Sequence, residues 1–370
     1  MSKAAELANL IGNINAGGGG VNRNLIINGA MNVYQRGSDT IDHDGTTSAY
    51  VLDRFKLDTS GMDELHLTVT QDSSVPSGQG FANSMKVDIT TAESALAADE
   101  YIRILYGVEA QDLQILNYGT SDAKTITLSF WVRSNLTGAF AVSIFQPDDN
   151  RIINSTYSIS SANTWEKKTI TFVGDTTGVI DDDNGAGFYI NFGLGTGSDR
   201  TGTASSSWST FANAKMFNGQ VANITSSASN DFYLTGVQLE IGQNETEFEH
   251  EPVERTLAKC QRYYQKIGGH NDLYSRINGG LVVTSTRAFW TVRLPVSLRD
   301  VPSLNATVSE WVINNGSENK TPSAIVATRG TPEAMFFYTD WSGSAFSVAD
   351  ACEMYANNNV TYKMDISSEL

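Results

Sequence analysis

Apolar residues recur at every second position through most of the chain between residues 24 and 250. The segments TITLSFWV and GFYINFGL alternate in this way, and FAVSIF, KKTITFV and FYLTGVQLEIG repeat the pattern. A period of two is that of a strand with one buried face, whereas a helix repeats every 3.6 residues. Turn-forming sequences such as NLTG, PDDN and SANT separate these segments. The pattern predicts two antiparallel sheets packed face to face, a jelly roll or β-sandwich, over residues 24–250.

Strand patterns resume after residue 270, in segments such as GGLVVTST, AFWTVRLPVSL, AMFFYTD and VTYKMDI. Pro295 interrupts the second of these segments and is predicted to mark a strand end or edge, because proline cannot donate a ladder hydrogen bond. A chain of 370 residues is long enough for two domains with separate cores. We therefore expect a second, smaller β domain over residues 270–370.

The segment EPVERTLAKCQRYYQKIGG joins the two β regions. Leu257, Cys260, Tyr264 and Ile267 recur in it at helical spacing, after a proline suited to a first turn and before a pair of glycines. This spacing predicts a connecting helix over residues 251–269, whose apolar stripe packs against a β domain or against other copies of the chain. Its basic residues lie toward the C-terminal half, where they complement the helix dipole, so a structural role is favoured over nucleic-acid binding.

The first 23 residues contain a short amphipathic pattern followed by GGGG. Leu7, Leu10, Ile11 and Ile14 form its apolar stripe. A helix this short rarely persists alone in water, so the stripe needs a groove or other copies of the chain to bury it. We expect an N-terminal anchor helix on a glycine tether over residues 1–23, with a frayed terminus as the alternative.

Charge and hydropathy exclude several classes of partner. The formal net charge is −16, whereas nucleic acids and anionic membranes need a concentrated basic face. No apolar run reaches the ~18 residues of a membrane span, and the N-terminus lacks the apolar core of a signal peptide. These observations predict a soluble protein that is made in a cytoplasm and that neither binds nucleic acid nor inserts into a membrane.

No segment carries a recognisable catalytic motif. GxSxG, HExxH and phosphate-binding loops are missing from the sequence. We therefore predict that the protein is not an enzyme, although the two carboxylates of a polysaccharide depolymerase can come from distant parts of a chain and leave no spacing signal. Cys260 and Cys352 lack metal-ligand spacing and are predicted to be thiols rather than a disulfide.

Two kinds of side chain are candidates for binding. Asp181, Asp182 and Asp183 in the turn DDDNGAG could offer oxygen ligands to a structural calcium ion, although a polar turn between strands explains them as well. No other metal or cofactor is predicted. Trp208 and Trp341 lie in Ser- and Gly-rich segments and are candidate glycan contacts, because flat rings stack on sugar faces. The alternative is that each ring folds back onto its own domain.

Three segments together resemble tail fibres and related receptor-binding proteins of tailed bacteriophages. They are NLIINGAMNVYQRG near the start, YLTGVQLEIGQNETEFEHEPVERTLAKCQRYYQ with its CQRYY helix, and LPVSLRDVPSL with the terminal DISSEL. The opening NLIxNG also resembles the start of galactose-binding-like jelly rolls in carbohydrate-binding modules. The resemblance spans most of the chain from residue 24 onward.

The resemblance implies a virion component that is homotrimeric or otherwise oligomeric. It implies attachment to other tail or virion proteins through the N-terminus, with distal β domains that recognise host cell-surface polysaccharide. Such a protein would be made in the host bacterial cytoplasm and reside in the virion. Two alternatives follow from the same sequence: a purely structural decoration or spacer of tail or head, and a polysaccharide depolymerase.

Overall fold

The computed structural model describes Lys3 and residues 23–37, 48–203, 205–268, 274–344 and 346–370. The predicted anchor stripe, Leu7, Leu10, Ile11 and Ile14, lies outside the described residues, as does the glycine tether. The fold is mainly antiparallel β, as the alternating pattern predicts. Within the described part of the chain, no helix combines the length and the apolar composition that crossing a bilayer would take.

The chain divides into two compact units. The first unit runs to Thr256 and also includes Leu370, and the second unit is Leu257–Glu369. The division falls inside the segment that the sequence assigns to a connector.

The first unit is a sandwich of two antiparallel sheets. Its strands are β1 (Ala49–Leu52), β2 (Phe55–Ser60), β3 (His66–Asp72), β4 (Ser84–Thr91), β5 (Tyr101–Glu109), β6 (Ile126–Ser134), β7 (Gly138–Gln146), β8 (Arg151–Ile159), β9 (Glu166–Phe172), β10 (Ala186–Thr196), β11 (Ser209–Thr210) and β12 (Asp231–Ile241). A seven-stranded sheet has the order β1-β2-β5-β10-β7-β8-β11, and a five-stranded sheet has the order β3-β4-β12-β6-β9. Short 3-10 helices lie between strands at Ala110–Leu116, Ser198–Arg200, Asn213–Lys215 and Ile224–Ser226.

The core of this sandwich is built by the alternating residues that the sequence pattern identifies. Phe188, Ile190, Phe192 and Leu194 on β10 are all fully buried. Phe130 on β6 meets Phe192 edge to face, with ring centroids 5.1 Å apart. Because successive strand residues point to opposite faces, the residues between these core positions point out of the sandwich. That outward face of the seven-stranded sheet carries the candidate site described below.

Asparagine side chains hold the opening NLIING segment in place, and one of them, Asn24, binds it to β12. Asn24 accepts hydrogen bonds from the backbone N–H of Ile26 and Leu239 at 3.0 and 3.1 Å, and donates to the carbonyl of Val237 at 3.2 Å. Asn28 is left-handed, with φ of 62°, and its side chain both accepts from and donates to the backbone of Val33 at 2.9 Å. The asparagines of the motif therefore have a structural role. Their side-chain amides form hydrogen bonds with backbone groups where the chain enters the sandwich.

The second unit contains two further antiparallel sheets. Its strands are β13 (Tyr264–Gly268), β14 (Arg276–Thr284), β15 (Arg287–Arg293), β16 (Ser303–Ala306), β17 (Trp311–Asn314), β18 (Asn319–Lys320), β19 (Ala324–Thr331), β20 (Ala334–Asp340), β21 (Ala351–Ala356) and β22 (Lys363–Ser367), with a 3-10 helix at Val308–Glu310. The sheet orders are β13-β22-β16 and β18-β17-β21-β14-β15-β20-β19. Strand β15 ends before Pro295, as predicted. The core includes the buried indoles of Trp290 and Trp311.

The predicted helix over residues 251–269 is too long. Helix α1 spans Val253–Gln261, and residues 264–268 form β13, which pairs with β22. Tyr264 and Ile267 therefore lie on a strand, whereas Leu257 and Cys260 lie on the helix. Helical spacing and β propensity compete in a short apolar run, and pairing with a strand about a hundred positions away decides the outcome. The prediction of one helical stripe containing all four residues is wrong.

Cys260 and Cys352 are both buried and are not joined by a disulfide, which confirms the prediction of two thiols. Burial raises the pKa of the Cys352 thiol to about 11, and the nearby Asp350 carboxylate adds to the shift. Because only the thiolate is a good nucleophile, Cys352 reacts slowly in the folded protein at neutral pH.

We expect Cys352 to resist iodoacetamide in the folded protein at about pH 8 and to react readily after unfolding, when its pKa returns to about 8.5. Mass spectrometry of a Cys260→Ala variant, which leaves Cys352 as the sole thiol, measures the two rates. Equal rates in native buffer and in denaturant would contradict the buried, protonated thiol.

Candidate binding groove

A cavity of about 290 Å³ lies on the outward face of the seven-stranded sheet, and we call it the groove. It is lined by Lys56, Arg103, Leu105, Phe145, Tyr189, Asn191, Phe211, Met216 and Leu370. Most of these side chains come from β2, β5, β7 and β10, which are neighbours in the sheet. The spacing of most side chains in the groove is therefore fixed by strands and not by loops.

Strand register sets the side chains of the groove in two rows. In one row, Lys56 on β2 faces Leu105 on β5, and Leu105 faces Asn191 on β10. In the other, Tyr189 on β10 faces Phe145 on β7. Directly opposed residues of antiparallel strands lie about 5 Å apart, so each row is a continuous strip of side chains across the sheet.

Three aromatic rings form one wall of the groove. The rings of Phe145 and Tyr189 are nearly parallel, at 13°, with centroids 6.4 Å apart. Phe211 packs against Phe145 with centroids 4.7 Å apart. All three rings are half-buried, so each still presents part of its surface to the groove. A fixed, partly exposed aromatic surface suits a ligand with a flat apolar face.

Beside the rings, a hydrogen-bonded network presents polar groups. Arg103 donates through Nε to the Asp58 carboxylate at 2.6 Å and through Nη1 to the Asn191 side-chain oxygen at 2.7 Å. Asn191 in turn donates to the Ser143 hydroxyl at 3.1 Å. Nη2 also lies 2.6 Å from the Asp58 carboxylate, so the guanidinium is held on two sides within the lining of the groove.

The Asp58 carboxylate anchors this network. Burial alone would raise its pKa, but the charge and hydrogen bond of Arg103, the hydroxyl of Ser48 and the ammonium of Lys56 act the other way, and the net shift is downward. Tyr101 adds a hydroxyl donor at 3.2 Å. Asp58 therefore stays ionised and keeps Arg103 in place through the whole neutral range.

We expect Asp58 to stabilise the first unit at neutral pH and to lose this effect in acid. Its folded pKa lies below its unfolded value, so the contribution is complete above about pH 4 and disappears as pH falls through the folded value. The Asp58→Asn variant should be less stable by about 2 kcal/mol at about pH 7, and this difference should be smaller at about pH 3. Denaturant titrations at both pH values measure the difference.

Asp88, which forms an ion pair with Lys86 at 3.0 Å on a more exposed site, supplies the control. The Asp88→Asn variant should change stability by less than about 1 kcal/mol at either pH. A pH-independent cost for Asp58→Asn would contradict the ionic origin of the effect.

The two tryptophans predicted to contact glycan are used inside their own units. Trp208 is half-buried, its ring lies near Phe188 and Tyr118 at 6.2 and 5.8 Å, and its indole N–H donates to the carbonyl of Val173 at 2.7 Å. Trp341 is 3% exposed and belongs to the core of the second unit. Both rings adopt the alternative arrangement, since a Ser- and Gly-rich flank does not stop a large ring from folding back onto the apolar surface of its own unit.

Backbone N–H groups of the acidic turn donate hydrogen bonds to nearby carboxylates. The Asp183 carboxylate accepts from the backbone of Gly185 at 2.7 Å, and the backbone N–H of Asp181 donates to Asp148 at 3.0 Å. In the part of the chain that the structure describes, no three His, Cys, Asp or Glu side chains gather where they could hold a metal ion. Asp181, Asp182 and Asp183 thus lie in a hydrogen-bonded polar turn between strands.

The groove brings together residues that the sequence did not single out. Tyr189 and Asn191 stand at the outward positions between the core residues of β10, and Phe145 has the same relation to β7. The alternating pattern does show that these aromatic and amide side chains stand at outward positions of their strands. Recognising the site would have required knowing that β10 pairs with β5 and β7, which are distant in sequence.

No protein-family model matches the chain, and a search of curated proteins finds no match. Similar solved structures include the enzymatically active domain of tailspike protein 4 of bacteriophage CBA120, at 14% identity and a TM-score of 0.31 over 59% of this chain. The chain covers 21% of that protein.

Two carbohydrate-binding modules are similar over nearly their whole length. One is the family 11 module of a cellulosomal cellulase of Clostridium thermocellum, with 17% identity, a TM-score of 0.28, and coverage of 57% of this chain and 97% of the module. The other is TmCBM61, solved with β-1,4-galactotriose, with 9% identity, a TM-score of 0.28, and coverage of 59% and 99%. Similarity at this level does not transfer an activity to this chain.

Proposed function

We propose that the first unit binds glycan in the groove. One observation carries the proposal: a wall of half-buried aromatic rings, led by Phe145 and Tyr189, lies beside a polar network centred on Arg103. Pyranose rings have one face of C–H groups and an edge of hydroxyls, so they need both kinds of surface next to each other. The groove provides them from rigid strands.

In this arrangement the sugar ring lies against the aromatic wall and its hydroxyls point to the network. Arg103 and Lys56 line the groove and are the donors, and the buried Asp58 holds both cations in place. Because these groups are fixed before binding, little side-chain freedom is lost when sugar arrives. A single groove of this size binds weakly, so useful affinity comes from several copies acting together.

We further propose that the chain is a bacteriophage virion appendage, a tail fibre that recognises host surface polysaccharide. The resemblance of the opening segment, the CQRYY segment and the C-terminal region to tail-fibre sequences supports this role. A homotrimer attached through residues 1–23 would present several grooves at once, and closed symmetry is the usual arrangement of such oligomers. A spacer without receptor binding is the alternative.

A glycan array tests the binding proposal. The full-length protein, presented in multivalent form, is expected to bind at least one bacterial envelope polysaccharide. Binding to none of them at high valency would rule out the receptor-binding role and leave the spacer. Release of reducing ends from a bound polysaccharide would instead identify a depolymerase.

Deleting residues 1–20 tests the attachment proposal. We expect the shortened protein to fold, since the described sandwich begins after this segment, but to be missing from purified particles. Immunoblots of particles grown with each form measure incorporation. Normal incorporation of the shortened protein would contradict an N-terminal anchor.

A further inference from the structure

A second cavity, of about 400 Å³, lies on the outward face of the five-stranded sheet, and we call it the outer cavity. Its main lining side chains are Gln79, Phe81, Trp131, Lys167, Phe248 and His250. All of them belong to the first unit. The groove lies on the other sheet, so the two cavities open on opposite faces of one sandwich.

A glycine in β12 makes room for the wall of the outer cavity. Gly236 sits where the pairing of β12 with β6 shifts register, and its φ is 62°. A Cβ at this position would lie 2.6 Å from the Phe81 ring and 3.0 Å from the Trp131 ring. The missing side chain therefore lets both rings lie directly over the strand, at a backbone angle that glycine adopts without strain.

Three rings pack together beside Trp131. Phe81 and Phe248 meet at 4.9 Å, Phe248 and His250 at 4.9 Å, and Phe81 and His250 at 5.1 Å between centroids. The His250 ring also forms a hydrogen bond, through Nε2, with the carbonyl of Gln79 at 3.1 Å. These contacts hold the rings in place without a ligand, so the aromatic wall is preformed.

Polar groups share the cavity with the rings. Lys167 lies directly across from Trp131 in the β6–β9 pair and forms an ion pair with Glu245 at 3.2 Å. Ser129 precedes Trp131 on the same face of β6, and Glu247 also lines the cavity. The volume falls in the range of small-molecule sites, and a mixed lining of this kind suits a ligand that is neither fully apolar nor highly charged.

We propose that the outer cavity is a second saccharide site, which takes one or two pyranose rings against the half-buried Trp131, with the buried Phe81 supporting the wall beside it. This inference rests on the proposed function, because it assigns the same class of ligand to the first unit. It adds that one sandwich can hold two separate glycan chains, one on each face. Two sites in one unit raise the effective concentration of the second contact once the first is made.

Tryptophan supplies a readout that separates the two sites, since no Trp is among the residues that line the groove. The full-length protein is labelled with 15N-tryptophan, and a Trp131→Phe variant identifies the Trp131 indole signal. Cellobiose, maltose, lactose and chitobiose are each titrated to about 20 mM, well above a Kd of about 1 mM. We expect at least one disaccharide to shift the Trp131 signal in a saturable way.

Two variants test the assignment to the outer cavity. His250→Ala, at an exposed position, should weaken binding about fivefold by loosening the wall, and Tyr189→Ala in the groove should leave the Trp131 titration unchanged. A Trp131 signal that no disaccharide moves, or a shift that Tyr189→Ala removes, would overturn the proposal. A Trp131 shift without polysaccharide binding by the groove would refute the proposed groove function and leave the outer cavity standing.

Discussion

Replacing Tyr189 by alanine is expected to reduce retention on a polysaccharide that the glycan array identifies about tenfold. Tyr189 supplies the ring that lies parallel to Phe145, and removing a stacked ring costs about 1 kcal/mol or more. In the proposed complex both rings contact the same ligand, and replacing both should weaken binding by about a hundredfold where the two losses add. Affinity electrophoresis through gels containing the polysaccharide measures the change.

Two further variants make this result interpretable. Tyr189→Phe keeps the ring and should retain most of the affinity, which distinguishes loss of stacking from loss of the hydroxyl. Phe289→Ala removes a ring that is 43% exposed in the second unit, and it should leave retention unchanged. Equal losses for Phe289→Ala and Tyr189→Ala would show that the groove is not the binding surface.

Replacing Gly29 by alanine is expected to destabilise the first unit strongly. A Cβ at this position would lie 2.0 Å from the carbonyl oxygen of Val237, a contact that neither backbone can relieve without moving. The carbonyl of Gly29 also accepts the N–H of Val237 at 2.9 Å, so any movement breaks the join between the opening segment and β12. We expect a cost of about 3 kcal/mol or more, which lowers Tm by roughly 6–12 °C for a unit of this size.

Gly37 provides the matched control in the same unit. It has φ of 89°, and a Cβ there would meet nothing within 4 Å, so Gly37→Ala tests backbone strain without a clash. Its expected cost is about 1–2 kcal/mol. Differential scanning calorimetry compares the two variants. Equal losses of stability in the two variants would show that a clash with the Val237 carbonyl is not the reason for a glycine at position 29.

Alternation of apolar residues was sufficient to predict the two-sheet fold because it depends only on neighbours along the chain. The inward residues of β6 and β10 are fully buried, as that pattern predicts. The helix boundary failed for the opposite reason. Tyr264 and Ile267 take part in a strand because β22, about a hundred residues later, pairs with them. Local spacing carries no information about such a partner.

The same limit applies to the binding residues. The polar segment around Trp208 suggests a ring that is free to bind ligand. In the structure its indole N–H donates to the carbonyl of Val173, and its ring packs against the core of the first unit. Tyr189 and Asn191 look like ordinary strand residues until β5 and β7 are placed on either side of them. Outward residues become a site only through the order of strands in the sheet, which composition and spacing do not determine.

The most direct test of groove binding is a crystal structure with an oligosaccharide taken from a polysaccharide that the array identifies. We predict a sugar ring lying over Phe145 and Tyr189, with hydroxyls within hydrogen-bond distance of Arg103 or Lys56. An oligosaccharide bound elsewhere on the protein, with the groove empty at saturating ligand, would contradict it.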